Sequence, residues 1–381
     1  MMETALVNAR VLTAQGWRGD LAAIVAGAHI RALVASGKVP AGAQVHDLDG
    51  RMLLPGFIDC QVNGGGGVLF NDRPTVDGIR AIGAAHRRFG TTGFLPTLIS
   101  DSPDQIRTAI AAVDAAITEG VPGVLGIHLE GPFLSTERRG VHAARYLHAP
   151  DPEELRLVAS LRRGKTLLTV APERVAPEAI RELAGLGVII AAGHSNADYA
   201  TVRTALDAGA RGFTHLFNAM SPLTSRAPGM VGAALEDPDS WCGVIADGHH
   251  VHPASLRVAL KAKPRGKILL VTDAMPPVGA DDPAFTLDGE TITAREGICQ
   301  TANGTLAGSA LSMIDAFRNS VAMLGLPIEE AARMASTYPA DFLGLGTTHG
   351  RIAPGFRADF TVVDADLRLT ETWIGGVAQA N

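Results

Sequence analysis

The stretch Thr166–Ser195, TLLTVAPERVAPEAIRELAGLGVIIAAGHS, decides the fold. It opens with the apolar run Thr166–Ala171, passes through a helical pattern from Pro177 to Leu186, and returns to a second apolar run, Val188–Ala192. Pro177 falls in the first turn of the helix, where a missing N–H costs nothing. The two runs are near-continuously apolar, so they read as strands covered on both faces, the mark of a parallel sheet. The unit then ends in Gly193-His194-Ser195, polar residues placed where a parallel strand stops.

The same unit recurs outward in both directions. Apolar strands are expected at Leu53–Asp59, Gly93–Ile99, Val124–Glu130, Gly212–Leu216, Cys242–Ala246 and Ile268–Thr272, which with the two above makes eight. Helical patterns at Val76–Phe89, Pro103–Thr118, Pro152–Leu161, Asp198–Ala208 and Pro253–Lys261 fall between them, and Ala310–Leu324 and Glu329–Leu343 follow the last. Alternating units of this number predict an α/β fold, a (β/α)8 TIM-type barrel. An open doubly wound sheet is the rival, but no GxGxxG follows the early strands, and Gly64–Gly67 reads as a turn. Ala5–Thr13, Leu21–Ile30, Ala43–Leu48, Ala358–Val363 and Leu367–Val377 read as short strands outside the barrel. The expected layout is a barrel over 55–343, with 1–54 and 344–381 together forming a small β-sandwich domain, since each end is too short to fold alone.

The chain has 381 residues, 46% of them hydrophobic, and a net charge of −6. That apolar fraction builds a large core and excludes a wholly disordered chain. A sequence-blind nucleic-acid binder is usually basic, so no nucleic-acid partner is expected. Cys60, Cys242 and Cys299 are far apart and form no CxxC, which argues against a disulfide framework and for a reducing compartment. The first residues show no apolar run behind a basic segment, and the longest uncharged run, Gly297–Ile314, is studded with Gln, Asn, Thr and Ser. Neither a signal peptide nor a membrane span is expected, and a cytoplasmic protein follows.

Polar residues gather at the expected strand ends: Asp59 with Gln61 and Asn63, His128-Leu129-Glu130, His194, His215, Asp247-Gly248-His249-His250, and Thr272-Asp273. In a barrel these ends converge on one face, where active sites lie. Buried polar groups in that number are costly to satisfy without a purpose. Glu130, His194 and His215 form the natural metal trio, a carboxylate with two imidazoles, suited to Zn2+ and related divalent ions. Asp273 stands as the proton carrier beside a metal-activated water. His128 is expected to be a satisfied interior histidine, Asp59 to be a support or a ligand with equal weight, and His249 and His252 to be ordinary surface residues. The cysteines are read as structural.

The strings PGFID (55–59), HLEGPF (128–133), GHS (193–195), THLFNAM (214–220), ADGHH (246–250) and VTDA (271–274), with the closing GRIAPG (350–355) and Ala358-Asp359, occur in the order seen in N-acetylglucosamine-6-phosphate deacetylases of the amidohydrolase superfamily. The chain resembles that family over nearly its whole length. HLEGPF and THLFNAM are specific to it, while PGFID and the closing string are shared across the superfamily. The resemblance implies a barrel with a small β-sandwich from both termini. It implies metal-dependent hydrolysis of N-acetyl-D-glucosamine 6-phosphate to D-glucosamine 6-phosphate and acetate. Glu130, His194 and His215 would hold the metal, Asp273 would act as general base and then acid, and His142 would polarise the acetamide carbonyl. Arg226, His250 and the backbone of Asn218 and Ala219 would bind the phosphorylated sugar, with Val141 beside them and Gly308-Ser309-Ala310 bordering it. A homodimer sharing the phosphate site is implied.

Many members of the superfamily carry His-x-His after the first strand; here those positions are Gln61 and Asn63. Amides are weak ligands beside imidazole. One divalent ion per subunit is therefore expected, Zn first, with Fe, Co or Mn as alternatives. Gln61 and Asn63, with Asp59, mark the region where a second ion would sit. Two other readings compete: deacetylation of another phosphorylated N-acetylhexosamine, of galactosamine or mannosamine type, and a non-catalytic, degenerate barrel that only binds. Retention of Glu130, His194, His215 and Asp273 speaks against the second.

Overall fold

A computed structural model of the chain describes residues 3–380. Its centre is a sheet of eight parallel strands: β1 (Phe57–Val62), β2 (Thr91–Ile99), β3 (Gly126–Glu130), β4 (Lys165–Val170), β5 (Ile189–Ala192), β6 (Gly212–Phe213), β7 (Trp241–Val244) and β8 (Ile268–Leu270). They pair in chain order from β1 to β8. The ring closes just beyond β8, where Ala274 bridges Val62, the Asp273 N–H donates to Gln61 O at 3.0 Å, and the Asn63 N–H donates to Ala274 O at 2.9 Å. All eight expected strands are present, and the chain has the TIM-type fold.

Asp59 fastens this seam. It is fully buried, and its carboxylate accepts from the Thr272 hydroxyl at 2.5 Å and from the N–H groups of Thr272 and Gln61 at 3.2 Å. Burial pushes its carboxyl up to about 7. The helices follow the expected pattern, with Pro103–Thr118 realised to the residue and Asp198 capping Tyr199–Asp207 through the Thr201 N–H. The expected Glu329–Leu343 helix breaks at Ser336 into Ile328–Ala335 and Thr337–Phe342. Pro339 has no N–H to give the Ala335 carbonyl.

Two further sheets come from the ends of the chain. One has four strands (His29–Ala35, Leu21–Ala26, Glu3–Val7, Gln44–Asp47); the other has six, ordered Val377–Ala380, Leu369–Ile374, Phe360–Val363, Met52–Pro55, Arg10–Thr13 and Gly16–Arg18. They share a core of Leu6, Val11, Val25, Leu53, Phe360 and Trp373. The single strand expected over Leu53–Asp59 is thus two: Met52–Pro55 pairs with Phe360–Val363, and β1 starts after Gly56. A Cβ on Gly56 would lie 2.2 Å from the Thr92 hydroxyl, so only glycine lets the chain pass there.

Gly64–Gly65, expected as part of a turn, pairs with Val68–Leu69, and two larger elements were not expected from the sequence. A four-stranded antiparallel sheet (Ala284–Leu287, Glu290–Arg295, Ile298–Gln300, Leu306–Ser309) follows β8. Its turns carry Asp288-Gly289 and Glu296-Gly297, all four residues with positive φ, a recognisable hairpin signal. The helix Gly229–Glu236 is buried from Gly229 through Leu235, so it has no polar face and no helical period to detect. Among the described residues no helix is long and apolar enough to cross a membrane.

Asp59→Ala would strand two buried N–H groups and a hydroxyl at the seam. A loss of at least ~1–3 kcal/mol is expected in urea unfolding; unchanged stability would show that the seam holds without the carboxylate.

Candidate metal centre and active site

Glu130 ends β3, while His194 and His215 lie just past β5 and β6. All three are buried. Glu130 Oε1 stands 3.1 Å from His194 Nε2 and 3.1 Å from His215 Nε2, and the two imidazole nitrogens are 3.0 Å apart. Among the described residues this is the one group of three His, Cys, Asp or Glu able to hold a metal ion, with ligand atoms within 4.8 Å of one another. His194 Nδ1 donates to the Arg138 carbonyl at 2.8 Å, which leaves the lone pair on Nε2. That lone pair meets a carboxylate oxygen and a second imidazole nitrogen, and a cation resolves the repulsion. The residues fit a divalent ion.

The backbone at these strand ends is unusual. His194, His215 and Asp273 have φ of 46°, 31° and 55°, the left-handed region that side chains other than glycine rarely enter. Each such residue costs about 1–3 kcal/mol and persists where its surroundings impose it. Here Ser195 is bridged to Met220, with the Ser195 N–H donating to Ala219 O, and Ser309 N–H donates to Asp273 O at 2.8 Å.

Asp273 is buried beside the trio. Its Oδ1 accepts from Gln61 Nε2 at 3.0 Å and Asn63 Nδ2 at 2.6 Å, and Gln61 Nε2 also reaches Glu130 Oε1 at 3.2 Å. Burial, then the negative charge of Glu130, pushes the Asp273 carboxyl up to about 6. His142 lies edge-on to His194, ring centroids 4.5 Å apart. Its Nδ1 accepts from the Ser100 backbone N–H at 3.3 Å and lies 2.8 Å from the Ser100 hydroxyl. The amide contact makes Nδ1 the unprotonated nitrogen, so Nε2 carries the hydrogen. Burial pushes the imidazole down to about 3, so the ring is neutral at ordinary pH.

These groups line one cavity of about 370 Å3, which brings together Asn63, Glu130, Val141, His142, His194, His215, Asn218, Ala219, His250, Asp273 and Gly308. His250 is held by its own loop: Nδ1 donates to Asp247 Oδ2 at 2.6 Å, and Asp247 Oδ1 accepts the His249 and His250 N–H groups. Arg226 is not in this wall; it lies on the exposed loop 222–228. Asp59 sits below, in the seam, and is not among the trio. His128 is buried between Thr97 and Thr169, bonding both hydroxyls. His249 is exposed, and His252 caps the helix Pro253–Ala262 through the Ala254 N–H. Sequence reasoning missed Glu137, Arg138, Ile99, Met275, Thr305 and Leu306, which also line the cavity. Thr305 and Leu306 belong to the unread hairpin sheet. Arg138 offered no motif, because its contribution to His194 is a backbone carbonyl.

An eight-stranded parallel barrel with a carboxylate and two imidazoles at its strand ends is the architecture of a metal-dependent hydrolase. The family model described as the amidohydrolase family matches residues 52–379. The chain is 47% identical over 326 residues to an N-acetylgalactosamine-6-phosphate deacetylase from Shewanella sp. (strain ANA-3), covering 85% of this chain and 82% of that protein. It is 34% identical over 383 residues to the N-acetylglucosamine-6-phosphate deacetylase of Haemophilus influenzae, covering all of both chains. The crystal structure of N-acetylglucosamine-6-phosphate deacetylase from Pasteurella multocida superposes with a TM-score of 0.96 at 37% identity, again over the whole of both chains. The chain belongs to the amidohydrolase family, whose members are metal-dependent hydrolases.

Protein loaded with Zn2+ and desalted is expected to carry one ion per chain by elemental analysis, and His215→Asn to carry almost none. Full metal content in that variant would remove the trio as the ligand set.

Proposed function

We propose that the chain hydrolyses the amide of N-acetyl-D-glucosamine 6-phosphate, yielding D-glucosamine 6-phosphate and acetate. The observation that carries this reading is the convergence of Glu130, His194 and His215 with Asp273 and the Nε2–H of His142 on one cavity. Relatives named for this activity and matched over the whole chain support it.

Glu130, His194 and His215 would hold one divalent ion, with Zn2+ first among candidates for a site of one oxygen and two nitrogens. When bound, the ion acidifies water and polarises the amide carbonyl. His142 donates its Nε2–H to the carbonyl oxygen as negative charge develops there. Asp273 takes a proton from the attacking water and returns it to the departing nitrogen. Asn63 and Gln61 hold its carboxylate in place for both transfers. His250, fixed by Asp247, and the backbone at Asn218 and Ala219 would receive the phosphorylated sugar. Arg226 lies outside the wall of the cavity that holds the trio, and Leu223 on the same loop is 53% exposed. We infer that this loop meets a second copy and that Arg226 serves the phosphate site of a homodimer. The terminal segments 1–54 and 344–381 are proposed to form a supporting domain for the barrel over 55–343. A phosphorylated substrate and three buried free cysteines accord with a cytoplasmic enzyme.

The galactosamine epimer is a second reading, favoured by the relative at 47% identity. Acetate release from both 6-phosphates, with metal-free and Zn2+-loaded protein, tests the two together. Metal-dependent release is expected, faster from the glucosamine compound; the reverse order would reassign the substrate. Asp273→Asn should lower kcat by ~10²–10⁴ while keeping its metal, and near-normal turnover would remove the proton-transfer role. Sedimentation should show a dimer, with Arg226→Ala raising KM for the phosphorylated sugar more than it lowers kcat. A monomer with unaltered phosphate preference would overturn the shared site.

A further inference from the structure

The substrate proposed above is polar almost everywhere; its one alkyl group is the methyl of the acetyl. Four larger apolar side chains stand in the cavity wall, three of them within two residues in sequence of the groups described above. Val141 precedes His142, Met275 follows Asp273 by two residues, Ile99 precedes the Ser100 that orients His142, and Leu306 comes from the hairpin sheet. Ile99, Met275 and Val141 belong to one apolar cluster with Leu69 and Leu287.

Ile99 and Val141 have a second side. Both also line a separate cavity of about 380 Å3, which continues past Leu69, Leu287 and Tyr146 towards Asn71 and Asp101. The two side chains therefore form a partition between the reaction site and an adjoining space large enough for several further carbon atoms. The partition is stiff on the Ile99 side. Asn71 clamps that residue by both backbone groups, accepting its N–H at 3.1 Å and donating to its carbonyl at 3.1 Å. On the Val141 side the loop is held by the His142 N–H donating to Arg139 O at 3.0 Å.

We propose that Ile99 and Val141 are specificity-determining residues that limit the acyl group to acetyl, and that the adjoining cavity is the space a longer acyl chain would enter if the partition were cut back. The reaction is the same for every acyl length. Water adds to the acyl carbon, the carbon–nitrogen bond breaks, and the nitrogen gains the proton that water loses. Only the room behind the carbonyl differs. The inference rests on the deacetylase reading and deepens it.

The test compares kcat/KM for the N-acetyl, N-propionyl and N-butyryl derivatives of glucosamine 6-phosphate, using the zinc-loaded protein, Val141→Ala, Ile99→Val and Leu287→Ala. A methylene rejected by a packed apolar wall is worth roughly 10–200-fold. The unaltered protein is expected to lose at least that much per added carbon. Val141→Ala should raise the butyryl-to-acetyl ratio by about tenfold or more, and Ile99→Val, a smaller cut less able to disturb folding, should raise the propionyl-to-acetyl ratio. Leu287 lines the far cavity but not the reaction cavity, so Leu287→Ala should move both ratios less than Val141→Ala does. Ratios unmoved in both partition variants, with acetyl turnover retained, overturn the inference. So does equal use of butyryl and acetyl by the unaltered protein, or relaxation in Leu287→Ala as large as in Val141→Ala. No release from any of the three compounds by the unaltered protein would instead overturn the deacetylase reading itself, and the acyl limit with it.

Discussion

The seam between β1 and β8 is the constraint on which the rest depends. A parallel barrel has a site only if its last strand returns to its first, because closure is what turns eight strand ends into a ring. Here β8 is only three residues long, and the joining is done past its end by Gln61, Asn63, Asp273 and Ala274. The Asp59 carboxylate fixes that join by accepting from Thr272 twice and from Gln61 once. The same few bonds that close the barrel therefore set the position of Asp273 opposite Glu130. Fold and site share one set of contacts, so a fault in the first is a fault in the second.

The strand ends then depart from regular geometry. His194, His215 and Asp273 take left-handed backbone angles, and what opposes the strain comes from other elements. The hairpin sheet after β8 is the plainest case. Its last strand lays Ser309 against Asp273 and Thr272, with Ser309 Oγ donating to the Thr272 carbonyl at 2.6 Å. Gly308 makes the approach close enough: a Cβ there would meet Asp273 O at 2.8 Å and Met275 Cγ at 2.6 Å. An element outside the barrel strands thus holds the buried Asp273 at its backbone angle.

Much of this was legible in the sequence, for identifiable reasons. Apolar runs such as Val188–Ala192 betray buried parallel strands, and a polar residue just past each run marks the mouth of the barrel. Glu130, His194, His215 and Asp273 could be picked out on that basis alone. His142 could not, since it lies on a loop and follows no strand; only its likeness to a family string pointed to it. The helix Gly229–Glu236 escaped because burial on every side erases its period, and Arg138 because it acts through a carbonyl that every residue possesses. The hairpin sheet does leave a trace, in Asp288-Gly289 and Glu296-Gly297, whose positive φ suits tight hairpin turns. Arg226 stands apart: its expected role needs a second chain, and no single-chain contact can express it.

Gln61 and Asn63 show how a change of residue type alters the electrostatics of such a mouth. Imidazoles at these positions would offer lone pairs to a second cation, and that cation would draw the Asp273 carboxylate to itself. The amides do the reverse, turning N–H groups towards Asp273 Oδ1. Neutral donors stabilise a carboxylate far less than a divalent charge does. With no ion beside Glu130, burial and then the Glu130 charge push the Asp273 carboxyl up to about 6. The amides thus leave Asp273 without a cationic partner on that side, and among the described residues Glu130, His194 and His215 remain the one group of three able to hold an ion.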